Sequence, residues 1–282
     1  MNTPTNLNNN WLRLLPGLGL VLLSAGAAQA QVSTAANPIT WTGAVNTLYT
    51  NPLNWSFNRA PNQTDFVRIP AVARQPTLDV ANGIGVAGTL TIDAGASLML
   101  LAQGELDLYG DMVANGSFGG AGLLSIRSIT AVGATAPTLT THTITSANTI
   151  SINDVETMAN APTTWSAPVR LTRSLTVASN LTPTITNALT LLSTATSTAF
   201  IVNNGGIVNG PATVQRYIDN SVNAGVGYRH YSTPVSGNTV NDLATTTFTP
   251  NFNTAYNEGS FAPGTRPFPT VFLYDQANVA ID

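Results

Sequence analysis

Three pairs of apolar residues, Leu90/Ile92, Leu98/Leu100 and Leu106/Leu108, step evenly along "GTLTIDAGASLMLLAQGELDLYG", eight residues from one pair to the next (90, 98, 106). Within each pair the spacing is two, which puts both side chains on the same face of a strand. Gly95, Gly104 and Gly110, with Asp and Asn nearby, separate the pairs as turns. Strands this short and this regular belong to an all-β sandwich, barrel or solenoid. The connections are too short for the long crossovers of a Greek key. A chain winding in one direction, each coil stacked on the last, meets the constraint most simply, and the expectation is an all-β, parallel, right-handed β-helix or β-solenoid. The alternation recurs at Ile150/Ile152, Leu171, Leu175/Val177, Leu189/Leu191 and Ile201. The outward positions are mostly Thr and Ser, which suit ladders of like residues on a stacked sheet.

Inside this pattern lies "GIGVAG", Gly83 to Gly88, which fits the G-x-G-x-x-G fingerprint of dinucleotide enzymes, with Asp107 downstream. That fingerprint needs a helix after it, whose N-terminal amides hold the pyrophosphate. "TLTIDAGASLML" follows instead, with a period of two. The glycines therefore read as a bend between strands, no nucleotide is expected, and Asp107 reads as the solvent-facing partner of Leu106 and Leu108.

The first thirty residues read as a signal peptide. Arg13 precedes the apolar "LLPGLGLVLLSAGAA", and Ala28-Gln29-Ala30 forms an A-x-A cleavage site that would leave Gln31 at the new N-terminus. The run is too short to span a bilayer, which takes about 20 residues, and no later segment is apolar enough. The expected location is secreted or on the outer cell surface, with no transmembrane segment after cleavage. The chain has no Cys, which removes disulfides and thiolate metal sites. Only 8% of residues are charged, and every basic residue is Arg. No basic stripe exists for nucleic acid.

After a linker over 31–38, residues 39–70 concentrate aromatics: Trp41, Tyr49, Trp55, Phe57 and Phe66. They read as a cap over the open end of a β-structure, whose backbone groups would otherwise be bare. The alternative is a sugar-stacking platform carried by Trp41 and Trp55. The solenoid with its cap is expected over 39–210. From 211 the character changes, with Arg, Tyr and His concentrated first and Phe and Pro later. Residues 211–282 read as a second β unit, expected to be truncated because "VFLYD" is a strand that lacks a following partner.

No convincing catalytic constellation is present. Glu105 and Asp107 share one outward face by alternation and could serve as acid and base or hold Ca²⁺ in a polysaccharide lyase or glycoside hydrolase. Such a site also needs a basic residue, and no Arg lies between Arg74 and Arg127. Another coil would have to supply one. His230, with Ser232 and Asp242, reads as packing rather than a triad, because no G-x-S-x-G elbow accompanies it. His142 reads as an exposed rung residue. Two His and no Cys make zinc improbable, so no metal or cofactor is expected. The sequons at Asn54, Asn62, Asn115 and Asn180 would matter only in a eukaryotic secretory pathway.

Trp41/Gly43, Asn54/Trp55 and Pro61/Asp65/Val67/Ile69/Pro70 together resemble the start of exported β-helix proteins of Bacteroidota-type bacteria. "VQRYI", "RHYSTPVSG" and "FPTVFLYD" are similar to a segment that follows the β-helix in that group. The resemblance implies a surface or adhesin-like role, often with a type IX secretion sorting domain, none of which is visible here. It carries over no catalytic residue. The expected function is structural or adhesive, with carbohydrate or another cell-surface polymer as partner. A polysaccharide-degrading enzyme on the same scaffold is the alternative.

Overall fold

In the computed structural model, residues 31–129, 141–219, 221, 232–252 and 269–272 are described. The chain divides into two compact units at Val32/Ser33, and the second holds every strand described. That unit is a parallel β-solenoid with three walls. The first wall stacks seven strands: β1 (Ile39–Thr40), β2 (Phe66–Ile69), β5 (Thr89–Ile92), β8 (Met112–Ala114), β10 (His142–Ser146), β12 (Thr163–Trp165) and β14 (Thr184–Ile185). The second stacks β3 (Thr77–Leu78), β6 (Ser97–Leu100), the front halves of β9 (Ser117–Ile126), β11 (Ile150–Thr157) and β13 (Val169–Val177), then β15 (Leu189–Leu191) and β17 (Ala212–Val214). The third stacks β4 (Ile84–Ala87), β7 (Glu105–Leu108), the rear halves of β9, β11 and β13, and β16 (Phe200–Asn203). Every pairing between these strands is parallel.

The eight-residue step is one side of a coil. Leu90 sits on β5, Leu98 on β6 and Leu106 on β7, three successive walls of the same turn. On the first wall a coil takes 22 residues where Leu90 lies against Met112 (112 − 90) and 20 where Trp165 lies against Ile185 (185 − 165). The inward set matches the alternation, with Leu90, Ile92, Leu98, Leu100, Leu106 and Leu108 all at most 1% exposed. Each such side chain contributes roughly 1.5–3 kcal/mol by leaving water.

Where β9, β11 and β13 turn from the second wall to the third, the ladder is irregular between Ile152 and Asp154. Side chains bind the coils together at that corner. Asn153 Nδ2 donates to the Ala121 carbonyl at 3.1 Å, Thr172 Oγ1 donates to Asn153 Oδ1, and Ser197 Oγ donates to the Thr172 carbonyl at 2.7 Å. These bonds satisfy backbone and side-chain groups that the bend takes out of the regular ladder.

The expected boundary at 211 falls inside the solenoid, because β17 pairs with β15 and Gln215 N still donates to the Leu191 carbonyl. Among the described residues after Val214 there is no strand, only a 3₁₀ turn at Val240–Leu243. Most of the expected C-terminal β unit, including Leu273 and Ile281, and the signal residues through Ala30 lie outside the described residues.

Candidate functional site

The glycines of GIGVAG each have a structural occupation. Gly83 follows a 3₁₀ turn at φ 73°, a left-handed conformation that costs glycine nothing. Gly85 points inward from β4, where a Cβ would stand 2.5 Å from Leu78 Cδ1 and 3.2 Å from the Tyr49 ring. Gly88 lies at the next corner, where a Cβ would meet the Asp65 carbonyl oxygen at 2.5 Å. A strand, β5, follows in place of a helix.

Trp41 and Trp55 are each 1% exposed, so neither offers a ring face to a sugar. They meet edge to face, with centroids 5.1 Å apart at 78°, and Trp55 meets Tyr49 in the same way at 4.8 Å. Their polar atoms are tied down. Trp41 Nε1 donates to the Arg74 carbonyl at 2.7 Å, Trp55 Nε1 to the Tyr49 carbonyl at 2.6 Å, and the Tyr49 hydroxyl to the Val86 carbonyl at 2.9 Å. Burial pushes the Tyr49 phenol far above its ordinary value. Asn54, fully buried, organises the same segment: Oδ1 accepts from the amides of Val45 and Asn46, and Nδ2 donates to Asn46 Oδ1 and the Leu48 carbonyl. Its sequon is closed to any modifying enzyme once the chain has folded.

Asp65, immediately before β2, gathers the chain that precedes it. Only 3% exposed, its carboxylate accepts from Ser33 Oγ at 2.7 Å, from Arg59 Nη1 and Nη2 at 2.5 and 2.7 Å, and from the Asn62 amide at 2.8 Å. Burial pushes its pKa up, but the Arg59, Ser33 and Asn62 bonds outweigh that and hold it below the usual value.

The two carboxylates singled out for chemistry do come together, on the third wall. Glu105 and Asp107 point outward from β7, and Arg127, just past β9 on the next coil, reaches both. Arg127 Nη2 lies 3.3 Å from Glu105 Oε1, and Nε lies 2.6 Å from Asp107 Oδ1. Asp107 is not solvent-facing. It is 7% exposed because Val86 and Ser125 flank it on the adjacent coils and Arg127 covers it. Burial, and then the charge of Asp107, raise the pKa of Glu105, while Arg127 pulls it back. Tyr109 is raised by burial and by Asp107, and with Pro61, Asn62, Thr64 and Val86 it lines a shallow open depression. The missing basic residue therefore comes from the neighbouring coil. It arrives as an ion-pair partner, so both carboxylates are committed to one guanidinium. A retaining glycosidase instead holds its carboxyl groups about 5–5.5 Å apart around a sugar.

His142 is also not exposed. It points inward from β10, two residues before Ile144, and is fully buried. Burial lowers its pKa, against upward pulls from Asp111 and from the Arg127 and Gly110 carbonyls. Asp242 caps the 3₁₀ turn, accepting from the Thr239 amide at 2.6 Å, while its suggested partner His230 lies outside the described residues. Among the described residues no three His, Cys, Asp or Glu side chains gather as a metal site, and no helix is long and apolar enough to cross a membrane.

The fold and its walls define a parallel β-solenoid whose buried charges serve packing. Comparison with protein-family models, curated proteins and solved structures finds no match for this chain.

Proposed function

We propose that the chain is an exported, adhesin-like structural β-solenoid of the cell surface or extracellular space, with carbohydrate or another surface polymer as its partner. The observation that supports this most is the distribution of polar groups over the walls. Over β10, β12 and β14 the first wall carries stacked uncharged hydroxyls, and Glu105, Asp107 and Asp154 on the third wall are each held in an ion pair with Arg. Binding would be passive, through many weak hydrogen bonds on a rigid support. Retention of the purified protein on a panel of insoluble and acidic polysaccharides tests the reading, and retention on none of them refutes it. Export by way of the signal peptide predicts Gln31, cyclised or not, as the mature N-terminus by mass spectrometry. An intact Met1 chain in the cytosol would end the argument for export, and with it the type IX route.

A polysaccharide lyase or glycoside hydrolase is the second reading, favoured by the placement of Arg127 and Tyr109 beside Glu105 and Asp107. Turnover of an acidic polysaccharide that disappears in both Glu105→Gln and Asp107→Asn would support it. Turnover unaffected by both substitutions would remove these residues from any mechanism.

A further inference from the structure

On the first wall, three consecutive coils present the same outward pair. Thr143 lies against Thr164, and Thr164 against Thr184, forming one column. The inward residues Ile144, Trp165 and Ile185 are in register, so Thr145, Ser166 and Thr186 form a second column beside the first. The amides of Ser166 and Thr186 continue the ladder, donating to the carbonyls of Ile144 and Trp165 at 2.9 Å each. The six hydroxyls thus occupy a two-by-three grid. Its spacing is fixed by the sheet: about 4.8 Å between coils and roughly 6.6 Å between alternate residues along a strand.

Two further properties narrow what such a grid can hold. None of the six positions is charged, whereas the third wall carries Glu105, Asp107, Asp154 and Arg173. The second column is held in place from behind, with Thr145 Oγ1 donating to the Met112 carbonyl at 3.2 Å and Thr186 Oγ1 to the Trp165 carbonyl at 3.1 Å. In the first column the hydroxyls of Thr143, Thr164 and Thr184 make no hydrogen bond among the described residues. A neutral surface of positioned hydroxyls and methyls complements a neutral lattice of hydrogen-bonded oxygens. The spacing between coils approaches the shorter oxygen repeat across a prism face of ice, and the spacing along the strand falls somewhat short of the longer one.

We propose that the first wall over β10, β12 and β14 is an ice-binding face, its ligand being crystalline water. The preceding coil interrupts the grid with Asp111 and Val113, beyond which Thr89 and Thr91 resume it. Restoring a hydroxyl at Val113, itself 40% exposed, should therefore enlarge the face.

The test uses the full exported chain in ice-crystal microscopy, thermal-hysteresis measurement and recrystallisation assays. The native protein should facet growing ice and slow recrystallisation. Thr164→Lys, in the middle of the grid, should abolish both effects while its melting temperature holds. Thr190→Lys, outward on the second wall, should retain them, and Val113→Thr should strengthen them. Round, unfaceted crystals with the native protein would overturn the proposal, as would equal activity in Thr164→Lys and Thr190→Lys. Loss of polysaccharide retention in Thr164→Lys, with no effect of any variant on ice, would overturn it too and assign the wall to a polymer instead.

Discussion

Replacing Asp65 with Ala should separate the aromatic segment from the coil beneath it. The carboxylate is 3% exposed and accepts four hydrogen bonds from three residues of the preceding segment, Ser33, Arg59 and Asn62, while Asp65 itself stands immediately before β2. Removing one member of a buried ion pair costs about 3–5 kcal/mol, chiefly through the charge left behind. Arg59 is 29% exposed and can turn to water, so the lower end applies, about 3 kcal/mol. In a chain of this size that corresponds to a fall of about 6–12 °C in melting temperature, at roughly 2–4 °C per kcal/mol. Urea denaturation of Asp65→Ala, Arg59→Met and the double variant would isolate the coupling. Hydrogen exchange should show faster amides over residues 33–64 first. A loss below about 1 kcal/mol for Asp65→Ala, the range of exposed pairs, would refute the assignment of Asp65 as the junction. The pH dependence has a definite sign. Because the folded pKa lies below the ordinary 3.8, the carboxylate contributes its full stability above that value and loses it as pH falls through the folded pKa.

Three other outcomes follow from the packing. Gly88→Ala should cost about 1–3 kcal/mol by forcing a methyl against the Asp65 backbone, read as a lower urea midpoint. Leu106→Asp should lose several kcal/mol by burying an unpaired charge, whereas Glu105→Gln, part of a partly exposed ion pair, should lose under about 1 kcal/mol. Equal thermal shifts would mean that the inward register is wrong. His142 has a folded pKa below its ordinary 6.5, so the unfolded chain takes up the proton first and stability should fall as pH drops below that value. Urea midpoints from pH 8 to pH 5 should show the decline, and His142→Gln should flatten it.

The inward and outward positions were legible because a period of two is a local property. Leu90 through Leu108 needed nothing beyond their own neighbours to be placed. His142 was legible in the same way, standing in phase with the buried Ile144, but its polarity argued for exposure and masked the signal. Asp107 could not have been read locally. Its alternation is outward, and its burial depends on Arg127 from the next coil. The aromatic segment was readable as a cap, with a sugar platform as the alternative, yet the choice between them rests on contacts such as Trp41 to Arg74, thirty-three positions apart (74 − 41).

That last limit is general to a stacked coil and explains why no catalytic motif could be found or dismissed from spacing. Neighbours on a wall are one coil apart, and the coil has no fixed length. Leu106 meets Leu124 after 18 residues (124 − 106), Leu90 meets Met112 after 22 (112 − 90), and Met112 meets Ile144 after 32 (144 − 112). Lengthening a loop between two strands costs only about 0.6 kcal/mol per doubling, so coils of unequal length can share one stack. Side chains that touch on such a wall can therefore drift apart in sequence without moving in space. The Glu105–Asp107–Arg127 cluster and the Thr143–Thr164–Thr184 column become visible only when the coil register is known. Any function of this molecule that spans coils is written in that register, and substitutions chosen along a single strand will sample only one row of it.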